Sequence, residues 1–163
     1  MTPPLKPGDV TSASGEAEWG DVSPDTNQPV KSPPVDFTFH VNGTAAPQGS
    51  KKHVGKGVLV EMSKNLPAWR KAVKDAAMRT WNRPALDAPV SVQVTFRINK
   101  PPTTKFRDYP AGPADLDKLL RSTGDALEQA GLLTNDSRIV HWDAAKVWGP
   151  AGATITITEM RAT

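Results

Sequence analysis

The chain has no cysteine. That excludes a disulfide framework, a thiolate metal site and a cysteine nucleophile. Aromatic residues are scarce, at 6%. No apolar run approaches the ~18 residues of a membrane span. The first ten residues lack both a basic start and an apolar stretch, so a secretory signal is not expected. A soluble cytoplasmic protein is the default expectation. Proline, by contrast, is abundant, with 16 in 163 residues, and seven of them fall within residues 1–35. That segment also carries Lys6 and Lys31 against Asp9, Glu16, Glu18, Asp21 and Asp25, and has no sustained period of 2 or 3.6. It reads as a Pro-rich acidic disordered tail, because it cannot bury enough apolar surface to offset its ordering entropy. Trp19 is its one residue with a side chain suited to docking.

Residues 36–163 read as one folded domain. The chain is +3 overall and the tail is −3, so the domain carries +6. A basic domain suits an anionic partner. Residues 35–41 alternate and are rich in β-formers, and Gly57 to Glu61 reads as a short return strand. Between them lies a polar basic loop with Gln48, Lys51, Lys52 and His53. Leu66, Trp69, Val73, Ala76, Ala77 and Trp81 recur at helical spacing, with Ser63 as N-cap and Arg70, Lys71 and Lys74 on the outer face. Trp69 and Trp81 read as core rather than as a stacking platform for bases.

Val90, Val92, Val94, Phe96 and Ile98 make an unbroken strand alternation. A long Pro-rich loop follows at residues 99–113, with Lys100, Lys105 and Arg107. Loops of this length inside a compact domain are usually functional or mobile. Residues 115–130 form a second helix closed by Gly131. Residues 138–148 and 152–159 are two strands around a Gly-Pro turn. The expected fold is α/β of the α+β kind, a small mixed sheet with two main helices on one face.

On the second helix, Leu116, Leu119, Leu120, Thr123, Ala126, Leu127 and Ala130 share one arc at 100° per residue. Asp117, Arg121, Asp125 and Glu128 share the other, with Lys118 at its edge. Asp115 is placed to be the N-cap, from which its carboxylate can swing toward Asp117. Asp125 is spaced to pair with Arg121. A third carboxylate, Asp136, follows in a polar turn 19 residues after Asp117. Spacing permits these acids to meet only if the sheet order brings that turn beside the helix. His141 reads as a strand-surface residue beside Asp143 and Lys146.

The run Pro113-Ala114-Asp115-Leu116-Asp117-Lys118-Leu119-Leu120-Arg121, then Asp125-Ala126-Leu127, then the stretch from Gly131 to Val140, resembles the RusA family of Holliday-junction resolvases. That pattern runs Asp-(Leu/Ile)-Asp-Asn-Leu-x-Lys, a helix ending in Asp-Ala-Leu, and a later acidic turn before a Val-rich strand. The likeness spans about residues 36–160 and is specific over 113–146. It implies a homodimeric, Mg²⁺-dependent endonuclease of phage or bacterial type, with Mn²⁺ able to substitute. Its substrate would be branched DNA, the four-way junction, nicked symmetrically in recombination and repair.

By resemblance, Asp115, Asp117 and Asp136 are the metal-binding carboxylates. Lys118 stands where the family has Asn, and Arg121 where it has a catalytic Lys. Arg holds phosphate bidentately but does not donate a proton near neutral pH, so Lys118 is the nearby alternative source of an ammonium. Gln48, Lys51, Lys52, Lys100, Lys105, Arg107 and Lys146 are the expected DNA contacts, gripping backbone rather than reading sequence. Alternative expectations are a broader flap or fork nuclease, a non-catalytic DNA-binding module, and a protein-interaction domain.

Overall fold

A computed structural model describes residues 33–162, apart from residues 50, 54, 57, 58, 62 and 113. The tail reading, Trp19 included, lies outside the described residues. The fold is a four-stranded mixed sheet in the order β1-β6-β4-β5, with a separate two-stranded ribbon β2-β3. The strands are β1 (Asp36–Asn42), β2 (Lys51–His53), β3 (Leu59–Glu61), β4 (Val90–Ile98), β5 (Ile139–Trp148) and β6 (Gly152–Glu159). The helices are α1 (Leu66–Thr80) and α2 (Leu116–Gln129), and a 3-10 turn spans Asp136–Arg138.

Strand alternation fixes which face is buried. On β4, Val90, Val92, Val94 and Phe96 are fully buried, while the intervening Gln93 is exposed. Their ladder partners Ile157, Ile155 and Ala153 on β6 are buried too, and so are Phe39 and Val41 on β1. Both helices cover this face. They contribute Trp69, Val73, Ala76 and Ala77 from α1 and Leu119, Ala126 and Leu127 from α2. The other face is a polar lattice: Thr38 bonds Thr156, His40 bonds Thr154 and Gln93 donates to Asp143. His141 sits there on Ser91 Oγ, as its reading as a strand-surface residue required. Among the described residues no helix is long and apolar enough to cross a membrane.

Three local expectations change. The stretch read as a loop at 51–53 is the short strand β2, defined by its pairing with β3 rather than by any alternation of its own. Helix α1 is capped at Asn65, not Ser63; the Ser63 carbonyl instead accepts the Leu66 N–H. Pro67 in the first turn explains the later start, since proline is tolerated only where its missing N–H is not needed. Trp81 is half-buried, edge-on to Phe37 and beneath Arg83. The end of α2 is as expected: Gly131 has φ +70, its N–H bonds Glu128 O and the Leu132 N–H bonds Leu127 O. That is a Schellman stop, which turns the chain sharply toward Asp136.

Gly152 marks the closest approach of two backbones. A Cβ there would stand 2.4 Å from the Val41 carbonyl oxygen. Gly152→Ala should therefore cost about 2–3 kcal/mol by pushing β1 off β6. Urea denaturation measures it, and an unchanged midpoint would contradict the packing described.

Candidate nuclease site

Strand β5 runs parallel to β4, and α2 is the connection between them. This topology decides whether the acids meet. The return from α2 brings the 3-10 turn back along the helix, so that Asp136 lies beside Gly124. A Cβ at Gly124 would be 4.0 Å from the Asp136 Cβ and 3.6 Å from both Ile139 and Trp142. The result is an open trough of about 340 Å³ lined by Asp117, Leu120, Arg121, Gly124, Asp136, Ile139 and Trp142. Its floor is apolar and its rim carries two carboxylates and one guanidinium. The absence of a side chain at Gly124 keeps it open. Asp117 and Gly124 are seven residues apart, about 10 Å of helix rise, so the two acids stand toward the two ends of the trough.

Asp117 and Asp136 are exposed, and neither makes an ion pair with a described residue. Asp115 does occupy the N-cap position, with extended backbone, but its carboxylate makes no capping bond. It pairs with Lys118 at 2.8 Å. The Lys118 ammonium bonded to it holds the Asp115 carboxyl below the usual carboxylate range, and the same contact raises Lys118. Lys118 is therefore kept firmly cationic. Among the described residues, no three His, Asp or Glu side chains lie close enough to hold an ion. The structure thus gathers Asp117, Arg121 and Asp136 and sets Asp115 on Lys118. The donor chemistry still suits a hard divalent cation, because Mg²⁺ typically takes one or two carboxylates and keeps water or phosphate elsewhere.

The segment before α2 is held under local strain. Ala114 has φ +76, a region that costs a non-glycine residue about 1–2 kcal/mol. Lys146 donates to its carbonyl at 3.0 Å and to Gly112 O at 3.4 Å. Lys146, read as a phosphate contact, is thus engaged in aiming the residues that lead into Asp115. The loop at 99–113 folds onto β5: Trp148 Nε1 donates to Phe106 O, Lys100 to Arg107 O, and Lys105 lies over the Phe106 ring. Arg107 is exposed.

Along the flank of α2, Ser122 donates to Ala46 O and the Gln48 N–H to Lys118 O. The backbone then passes Arg121, whose Nη1 lies 3.2 Å from where a Gly49 Cβ would stand. The side chains of Lys51 and Lys52 lie outside the described residues. Asp125 is not the partner of Arg121. It bonds Arg70 of α1 at 2.5 Å, and Arg70 also bonds Gln48 Oε1. Sequence reasoning placed Arg70 on a free surface and missed this bridge. The only signal was a cation on one helix and an acid on the other, which says nothing about whether they face each other.

Asp87 anchors the turn that carries Asp136. Its Oδ1 accepts from Thr134 Oγ1 and from Arg138 Nε, both at 2.7 Å. The Thr134 hydroxyl, then the Arg138 guanidinium, hold Asp87 below its ordinary value of 3.8. A carboxylate lowered in the folded state stabilises above its unfolded value and ceases to do so as pH falls through the folded one. Wild type should therefore exceed Asp87→Asn in stability above about pH 4, with the gap closing below 3.8. Melting curves of both proteins between about pH 3 and 7 check this.

A family model described as Endodeoxyribonuclease RusA matches residues 41–158, which is most of the chain and reaches into every strand of the sheet. No curated protein matches the chain.

Proposed function

Since the chain belongs to the RusA endodeoxyribonuclease family, we propose that it resolves four-way DNA junctions by Mg²⁺-dependent hydrolysis of two opposed phosphodiesters. The observation that carries this reading is the meeting of Asp117, Arg121 and Asp136 in one open trough. Asp117 and Asp136 would hold the ion, with Asp115 joining them if Lys118 turns away. A bound Mg²⁺ supplies activation of water and neutralises charge building on the phosphoryl oxygens. Arg121 clamps the scissile phosphate through its planar fork and stabilises the transition state. Lys118, raised and cationic, adds positive charge beside the leaving oxygen without giving up its proton readily. The apolar floor of Leu120, Ile139 and Trp142 leaves the two carboxylates and the guanidinium as the polar groups of the trough.

Two symmetric cuts call for two sites related by a two-fold axis, so the working form is a homodimer. Recombination and repair intermediates in the cytoplasm would be its substrates. The test compares mobile four-way, fixed four-way and flap or fork DNA, with Mg²⁺, with Mn²⁺ and with chelator. Paired nicks on four-way junctions that vanish with chelator are expected. Preferential flap cutting would move the reading to a broader branched-DNA nuclease. Binding without cutting in either metal would make it a non-catalytic DNA-binding module.

A further inference from the structure

A larger groove lies away from the acidic trough. Its volume is about 650 Å³, and it is lined chiefly by Lys64, Pro67, Arg70, Lys71 and Lys74 of the α1 region and by Gln129 of α2. The α1 region carries Lys64, Arg70, Lys71, Lys74 and Arg79 against the single acid Asp75. The first turn of α1 holds no acidic residue, so the positive end of the helix dipole adds to the same field. Arg70 is tied to Asp125, and Lys71 reaches Asp75. Lys64 and Lys74 make no ion pair with any described residue. Lys71 and Lys74 are about 60° apart on the helix, and Lys64, in the turn before it, lines the same groove, so three exposed lysines share one stripe.

The helix α2 connects this stripe to the trough. Asp117, Arg121, Asp125 and Gln129 follow one another four residues apart. Asp117 and Arg121 line the trough, Asp125 holds Arg70, and Gln129 lines the groove. Eight residues at 1.5 Å each set Gln129 about 12 Å beyond Arg121 along the helix axis. That corresponds to about three to four base-pair steps of B-form DNA at 3.4 Å each.

Building on the nuclease reading, we propose that the α1 groove seats the phosphate backbone of one duplex arm of the junction, about three to four base pairs from the scissile phosphate. Flexible lysines along one stripe are point charges suited to phosphates of any sequence. They hold the arm at a fixed distance and so set which phosphate enters the trough. Arg70 stays on Asp125 and Gln48 and supports the groove wall.

The test uses the full chain and the triple variant Lys64→Ala/Lys71→Ala/Lys74→Ala, with binding to four-way junctions measured from 50 to 200 mM salt. One junction is unmodified; the other carries uncharged methylphosphonate linkages at about the third to fifth phosphates of each arm. On the unmodified junction the slope of log K against log salt should become shallower by about 2–3, at about 0.9 for each phosphate the variant no longer neutralises. On the neutralised junction variant and wild type should bind alike. The Lys→Arg triple should restore the slope. Equal slopes on the unmodified junction, or an equal loss on the neutralised one, would overturn the proposal. If wild type still cuts junctions in that case, only the groove assignment fails. Wild type that binds no branched DNA at 50 mM salt would overturn the groove and the nuclease reading together.

Discussion

Asp117→Asn should lose Mg²⁺-dependent junction cleavage by on the order of 10³ or more while still binding the junction. The change is nearly isosteric and removes one charge. Asp117 is exposed and makes no ion pair with a described residue, so stability should move by no more than about 0.5 kcal/mol. The carboxylate removed is one of two that line the trough, and an amide is a far weaker ligand for a hard cation. Asp136→Asn should behave alike, and the double variant should be little worse than either single, because groups that act as a unit are not additive. Single-turnover cleavage and gel-shift binding, run on the same preparations, separate the two effects. Cleavage that survives both substitutions would remove the acids from the chemistry.

Trp69→Ala should cost about 3–5 kcal/mol in denaturant unfolding, the range for a large aromatic removed from a core. Trp69 is 1% exposed and lies 6.2 Å from the ring of Phe96, itself fully buried on the central strand β4. Its ring, together with Leu66, Val73, Ala76 and Ala77, seats α1 on the sheet. The neighbouring Arg70, which reaches Gln48 and Asp125, depends on that seating. Cleavage should therefore fall together with stability, not independently of it. Trp69→Phe keeps an aromatic ring and removes an indole N–H that has no partner among the described residues, so it should cost clearly less.

What the residues disclosed directly was face and period. The alternation from Val90 to Ile98 gave β4 and its buried side, and the stripes of α1 and α2 gave their inward residues. Gly131 announced the end of α2 because only a left-handed residue makes that stop without strain. Partnership was not disclosed. The spacing of Asp125 suggested Arg121 one turn away, yet Arg70 on another helix takes it. Periodicity tells which way a side chain points and is silent on the element opposite. The same limit applied to Asp136. Nineteen residues after Asp117, it reaches the trough only because β5 returns parallel to β4 with α2 between them. The separation of Asp115 from the trough, through its pair with Lys118, was equally hidden, because spacing does not say which acid an ammonium will rest on.

The most direct measurement is a crystal structure of the full chain with a four-way junction and Ca²⁺, an ion that takes oxygen donors at about 2.3–2.6 Å. The expected result is an ion bound by oxygens of Asp117 and Asp136, with the scissile phosphate beside it and Arg121 on that phosphate. A junction seated elsewhere on the protein, or an ion held by residues other than these two acids, would contradict it.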